Sequence, residues 1–173
     1  MTTNEKIVYD TAIAEGMLKI NAQLPGLIVA QAKHESNDFS SNVFKTCNNA
    51  FGYKYVGQKL AVGACSDSPE GNKYAKYRSL EDSTREVCQW IKRRQSQFAA
   101  VNTPEDFASA LKNNGYFGDS LGNYSAALRR HYNAIKDGIT EIINRNPEVS
   151  MLTGFTILSM IGYYIYRVAK IKK

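Results

Sequence analysis

Glu35 is a carboxylate on the apolar side of a predicted helix. The residues that share this side follow spacings of three and four, and they are Leu24, Leu27, Ile28, Gln31 and Ala32. Burial among such neighbours disfavours the charged form of a carboxyl and raises its pKa. A carboxylic acid that stays protonated near neutral pH can act as a general acid on a leaving group. Periodicity alone still favours a simpler interpretation, in which a glutamate at a helix end bends its side chain into solvent.

Helices must position this carboxylate, and periodicity with capping residues predicts five of them. They span residues 3–22, 25–36, 79–98, 103–114 and 121–143. Ser79 and Thr103 are suitable N-caps, and Pro104 fits a first helical turn. Between residues 53 and 78, tyrosines and aliphatic residues alternate with glycines, which predicts a small β-hairpin inserted between helices. The expected fold class is α+β and mainly α, with a globular domain over residues 1–143.

Cysteines and histidines give little support for a metal site. The three cysteines are Cys47, Cys65 and Cys88, no pair has CxxC spacing, and the two histidines lie far apart in the sequence. A bridge between Cys47 and Cys65 is one possible pairing, whereas Cys88 is expected to be a buried thiol. His34 falls off the apolar side of its helix and is predicted to be exposed. We therefore predict no metal and no other cofactor.

The charge distribution argues against a nucleic-acid partner. The net charge is +6, but four basic residues and only one acidic residue follow Pro147. The globular part is therefore only mildly basic and has no concentrated basic stripe. The cluster at residues 92–94 fits the solvated face of a helix.

The C-terminal region has the composition of a membrane-spanning helix. Residues 149–166 contain no charge, three tyrosines stand near their end, and a basic tail follows at 167–173. We predict a linker at 144–148, a single transmembrane helix at 149–166 with the lipid bilayer as its partner, and a tail on the inner side. A buried amphipathic or interfacial helix is the alternative. The first residues are polar and show no apolar run typical of a cleavable signal peptide.

The segment around Glu35 resembles the bacterial and phage N-acetylglucosaminidases of glycoside hydrolase family 73. A helix ends at the catalytic glutamate of that family, and an Asn-Asn-x-Phe-Gly-x-Lys segment follows. The matching residues here are Ala32, Glu35, Ser36, Asn48, Asn49, Phe51, Gly52 and Lys54. Weaker matches follow in the family's order, at 68–70, at 75–79, and at Gly115, Tyr116, Asp119 and Tyr124. The resemblance covers about residues 5–136.

This resemblance implies a lysozyme-like domain that hydrolyses the β-1,4 bond of peptidoglycan on the N-acetylglucosamine side. Glu35 would be the general acid, and Glu70 would hold the position of the second carboxylate, which activates water or steadies an oxocarbenium-like transition state. The acetamido group of the sugar is an alternative to a protein nucleophile. The alternative interpretation of Glu70 is an exposed acidic residue in a turn. The resemblance makes Asn49, Phe51, Gly52, Tyr116 and Tyr124 the candidate substrate-binding residues. Asn49 would orient either its own loop or the N-acetyl group.

Two other functions stay open from the sequence. A muramidase or lytic transglycosylase of the same superfamily also uses a helical glutamate, but it is expected to carry a Gly-Leu-Met-Gln type of segment, which this chain lacks. A non-catalytic structural protein that kept the fold is the third possibility. A membrane-anchored hydrolase with one small domain fits a phage virion enzyme for wall penetration, with virion or membrane proteins as further partners.

Overall fold

The computed structural model describes residues 1–67, 71 and 73–145. The elements in chain order are α1 (Thr3–Ala14), α2 (Met17–Ile20), α3 (Leu24–Glu35), α4 (Asn42–Cys47), β1 (Gly63–Asp67), β2 (Lys73–Lys76), α5 (Leu80–Lys92), α6 (Gln95–Phe98), α7 (Pro104–Asn113) and α8 (Leu121–Arg145). They confirm the expected α+β class, which is mainly α with a small hairpin.

The predicted transmembrane helix at 149–166 and the basic tail at 167–173 lie outside the described residues. Within the described part, no helix combines the length and the hydrophobicity that crossing a bilayer requires. Helix α8 continues to Arg145, two residues into the segment predicted as a linker.

Helix α3 is the central element of the domain. It is buried on every side from Leu24 to Ala32, and it packs against both α1 and α8. Gly26 makes the contact with α8 close, because a Cβ atom there would lie 2.7 Å from Ile139 and 3.0 Å from Tyr132. Helix α7 supports α8 from another side, and α5 packs on α1. The buried helix therefore holds the residues at its C-terminal end in a fixed position relative to α8.

The helix boundaries differ from the prediction at three places. The helix predicted at 3–22 is two helices, because Gly16 adopts a left-handed conformation with φ 78° between α1 and α2. The helix predicted at 79–98 is likewise divided into α5 and α6. Helix α4 was not predicted, since it has only six residues in a polar segment and depends on the Ser41 side chain for its N-cap.

We define the hairpin lobe as residues 53–67 and 73–77. Strands β1 and β2 pair antiparallel, with Gly63 opposite Lys76 and Ala64 opposite Ala75. Residues 53–55 line the other side of β2, because the Tyr55 amide donates to the Lys73 carbonyl at 2.7 Å. The predicted hairpin is thus confirmed.

Two cysteines fasten the hairpin lobe to the helices. The sulfurs of Cys47 and Cys65 form a disulfide that links the end of α4 to β1, so the bridge that the sequence left open is present. Cys88 is a buried free thiol on α5, as expected, and burial raises its pKa to about 12.

Candidate active site

Glu35 is the last residue of α3, and its side chain is partly buried. Burial raises its pKa from the ordinary 4.5 to about 7, although a hydrogen bond from Tyr124 acts in the opposite direction. The negative end of the helix dipole lies at the same place and also disfavours a carboxylate. Half of such groups are protonated near pH 7, which is the state that a general acid needs.

Tyr124 holds the Glu35 carboxyl from α8. Its hydroxyl donates a hydrogen bond to Glu35 Oε1 at 2.6 Å, and the side chain is buried with 4% exposure. Burial, and then the adjacent Glu35, raise the pKa of Tyr124 far above its usual range, so the phenol stays protonated and remains a donor. The family resemblance placed Tyr124 among the substrate-binding residues, which stays a prediction, and the structure adds a hydrogen bond from its hydroxyl to Glu35.

Two rings fix the position of Tyr124. Phe117 stacks on it with a centroid distance of 3.8 Å and an interplanar angle of 8°. His34 meets it edge-on at 4.8 Å. The prediction that His34 is exposed was therefore wrong: the histidine is half-buried, because the N-terminal turn of α8 covers the side of α3 that lies off the apolar stripe.

Asn49 organises the loop beneath Glu35. Its amide donates to the carbonyls of Tyr53 at 2.8 Å and Ala75 at 3.0 Å, and its side-chain oxygen accepts from the Tyr53 amide at 3.1 Å. It is 1% exposed, so these backbone groups use its hydrogen-bonding capacity. Of the two roles expected for Asn49, its contacts match the orientation of the loop.

Phe51 and Gly52 form the floor under the acid. Phe51 is buried with 2% exposure, and Gly52 has a φ of 65°. A Cβ atom on Gly52 would lie 3.4 Å from Glu35 Oε2. The glycine therefore allows both the left-handed turn and the close approach of the backbone to the carboxyl.

Tyr116 joins the loop after α7 to the same floor. Its hydroxyl donates to the Phe51 carbonyl at 2.9 Å, and its ring contacts Trp90 and Tyr53 edge-on at 5.5 and 5.8 Å. Lys112 steadies this loop by donating to the carbonyls of Gly118 and Asp119 at 2.9 and 2.6 Å. The hydroxyl of Tyr116 is thus occupied by the protein, while its ring remains on the cleft wall.

A cleft of about 550 Å³ runs beside Glu35. The predicted residues Phe51, Gly52 and Tyr116 line it. The other lining residues are Tyr53, Lys54, Val56, Gln58, Glu86, Trp90, Arg93, Gly115 and Phe117. The α5 wall was not predicted, although Glu86, Trp90 and Arg93 follow spacings of four and three along the sequence. This spacing was the signal in the sequence for the α5 wall of the cleft. It was obscured because the apolar stripe of α5 lies on a neighbouring face of the helix.

The family of the chain follows from a match over most of its length. Residues 11–145 fit the family model for glucosaminidases, described as mannosyl-glycoprotein endo-β-N-acetylglucosaminidase. The chain belongs to the glucosaminidase family. The domain is therefore a glycoside hydrolase, and the resemblance seen in the sequence is confirmed.

Two solved structures are similar to this glucosaminidase domain, and the first of them shares its fold. A chain from a type VI secretion system effector–immunity complex of Pseudomonas protegens is 20% identical, with a TM-score of 0.52 over 74% of this chain and 92% of that one. The catalytic domain of the autolysin Auto from Listeria monocytogenes is also 20% identical, with a TM-score of 0.48 over 79% of this chain and 86% of that one. No curated protein has a significant match to the sequence.

The second carboxylate of this glucosaminidase stays a prediction. Glu70 lies between β1 and β2 in the sequence and outside the described residues. Among the residues that the structure describes, no group of three or more His, Cys, Asp or Glu side chains is arranged to hold a metal ion. Of the two predicted catalytic carboxylates, Glu35 is therefore the one that the structure describes.

Proposed function

We propose that the domain hydrolyses the β-1,4 bond of peptidoglycan on the N-acetylglucosamine side, with Glu35 as the proton donor. The observation that carries this proposal is the Glu35 carboxyl, whose pKa is about 7 and which faces the cleft of a glucosaminidase domain. A carboxyl with an ordinary pKa would be almost fully ionised at neutral pH and would have no proton to give.

The two oxygens of Glu35 have different tasks in this proposal. Tyr124 donates to Oε1, so the acidic proton resides on Oε2, the oxygen beside Gly52 at the cleft floor. Oε2 gives this proton to the glycosidic oxygen as the bond to the anomeric carbon breaks. The hydrogen bond from Tyr124 then stabilises the carboxylate that remains, because charge-assisted bonds are stronger than neutral ones.

The developing positive charge on the sugar needs a second group. Glu70 is our proposed candidate, and the acetamido oxygen of the substrate is the alternative. If a Glu70→Gln variant digested the glycan at an unchanged rate, this result would favour the acetamido group over Glu70 as the second group.

Digestion of purified peptidoglycan, followed by mass analysis of the fragments, tests the proposed bond. We expect fragments that end in reducing N-acetylglucosamine. Fragments that end in reducing N-acetylmuramic acid, or in a 1,6-anhydro sugar, would contradict it. Glu35→Gln should lower kcat by about 10²- to 10⁴-fold. Glu141→Gln, an exposed carboxylate near the far end of α8, is the matched control and should keep full activity.

We further propose that residues 149–166 anchor the enzyme in a membrane. The support is the uncharged length, the nearby tyrosines and the basic tail. Flotation of the full chain with phospholipid vesicles, compared with residues 1–148, tests the anchor. Equal flotation of the two proteins would rule it out. The virion context stays a prediction from the sequence.

A further inference from the structure

Glu86 is a buried carboxylate on the cleft wall, and one of its two oxygens lacks a hydrogen-bond partner in the described part of the chain. It is 8% exposed, and its Oε2 has no hydrogen-bond partner among the described residues. Burial of a charged group without a partner costs free energy, because the protein returns none of the hydrogen bonds that water supplied. Such groups persist mainly where a ligand or an ordered water supplies the missing partner.

Two tyrosine hydroxyls near Glu86 are also unpartnered. The hydroxyls of Tyr53 and Tyr77 are buried and have no hydrogen-bond partner in the described part of the chain. Burial, then Tyr77 and then Glu86, raise the pKa of Tyr53, and burial followed by Glu86 raises that of Tyr77. Tyr53 and Glu86 line the same cleft, and each has a buried oxygen without a hydrogen-bond partner among the described residues.

The basic neighbours of Glu86 on α5 form no ion pair with it. Arg93 lies seven residues further on, or about 10.5 Å along the helix axis, and is exposed. No ion pair of Glu86 occurs among the described residues, whereas Arg94 on the same stretch of chain rests 4.2 Å above the Trp90 ring. Glu86 lines the cleft, but its unpartnered Oε2 is enclosed by protein, so a hydrogen-bond donor in the cleft reaches this oxygen only when the side chain turns toward it.

On the α5 wall of the cleft, the Glu86 carboxylate is a hydrogen-bond acceptor beside the apolar ring of Trp90. Trp90 follows Glu86 by one helical turn, and both line the cleft that contains Glu35. An acetamido group has the complementary chemistry, since its N–H is a donor and its methyl group is apolar. We infer that Glu86 is a substrate-binding residue that accepts the N–H of an acetamido group of the glycan, with Trp90 beside the methyl group. This inference rests on the proposed function, because it takes the glycan as the ligand.

Calorimetric titration with neutral oligosaccharides tests the inference. The protein is the full chain with Glu35→Gln, which prevents turnover, and the ligands are chitotetraose and cellotetraose, which differ in bearing an acetamido group or a hydroxyl at C2. Adding Glu86→Met should raise the Kd for chitotetraose about tenfold and leave that for cellotetraose unchanged. The thermal midpoint should not fall, because the change removes an unpartnered buried carboxylate.

Tyr77→Phe is the matched control. It removes an unpartnered buried oxygen from the same region, but Tyr77 does not line the cleft, so both dissociation constants should stay unchanged. The inference is overturned if Glu86→Met changes the Kd for chitotetraose by less than about twofold, weakens both ligands equally, or lowers the thermal midpoint with no change in binding. If an ordered water is the partner of Glu86 in place of the glycan, the Kd for chitotetraose should change by less than about twofold.

The proposed function is tested separately by digestion of peptidoglycan with the wild-type chain. A wild-type protein that digests peptidoglycan, combined with a Glu35→Gln protein that does not prefer chitotetraose, overturns the inference and leaves the function standing. A chain that neither digests peptidoglycan nor binds chitotetraose overturns both.

Discussion

The hydroxyl of Tyr124 donates a 2.6 Å hydrogen bond to Oε1 of Glu35, and 89 residues separate the two in the sequence. The bond joins the last residue of α3 to the first turn of α8. The pKa of the proposed general acid therefore depends on a helix other than its own, and burial and hydrogen bonding shift this pKa in opposite directions.

Removing this hydrogen bond should move the alkaline limb of the pH–activity profile. The bond lowers the pKa of Glu35, so Tyr124→Phe should raise it further, and the acid should stay protonated to a higher pH. We expect kcat to fall about tenfold, because the product carboxylate loses a charge-assisted bond. The pH dependence of kcat measures both effects. A limb that stays in place or moves to lower pH would show that the bond does not act on the acid.

The raised pKa of Glu35 also predicts how stability depends on pH. The folded protein binds this proton more tightly than the unfolded chain, so the contribution of Glu35 to stability is lost as pH rises from about 4.5 to about 7. Glu35→Gln removes the effect. The variant should therefore match the wild type at pH 4 and be more stable at pH 8, as measured by denaturant unfolding at each pH. A variant less stable at pH 8 than the wild type would contradict the burial of this carboxyl.

Gly52→Ala and Gly57→Ala form a matched pair. Both glycines have positive φ angles, 65° and 81°, so both alanines should cost about 1–2 kcal/mol of stability. Only the Cβ at position 52 meets the acid, since nothing lies within 4 Å of one at position 57. We expect kcat to fall about tenfold or more for Gly52→Ala and to be unchanged for Gly57→Ala. Equal losses of kcat in the two variants would mean that activity depends on the backbone conformation of the two turns and not on the close approach of residue 52 to Glu35.

The disulfide should stabilise the domain and respond to reductant. Cys47 and Cys65 close a loop with a sequence separation of 18, so Cys65→Ser should lower the free energy of unfolding by about 2–4 kcal/mol. The wild type in dithiothreitol should approach the stability of the variant, and the variant itself should not respond to reductant. Cys88→Ala, which removes the buried free thiol, should keep the full response to reductant. A wild type that is equally stable with and without reductant would contradict this account.

Local patterns in the sequence predicted the acid and the loop beneath it. Periodicity placed Glu35 on the apolar side of one helix, and the family resemblance of the following loop was needed to predict it as the acid. Ser36 closes that helix, since its hydroxyl donates to the Ala32 carbonyl at 2.6 Å. Gly52 was predicted from the family resemblance, and its positive φ and close approach to Glu35 give the physical reason for a glycine there.

Contacts between distant segments could not be predicted in the same way. The role of Tyr124 depends on how α8 packs on α3, and no spacing within α8 encodes that arrangement. Glu86 was missed because a polar residue beside an apolar stripe is expected to be solvent-exposed, whereas it is 8% exposed and Tyr116, from the loop after α7, contacts Trp90 one helical turn away. His34 was assigned to solvent for a related reason, since the ring that covers it comes from another helix.

Gly26 does not line the cleft, but its contact with α8 bears on how the Glu35 carboxyl is held. It lies nine residues before Glu35, which is about 13.5 Å along α3, and α8 packs closely against it there. The Gly26 contact and the Tyr124 hydrogen bond thus hold α8 against α3 at two separated points. We expect a larger side chain at position 26 to displace α8 and lengthen the bond to Glu35, so the size of a residue that does not line the cleft should influence the acidity of the proposed proton donor.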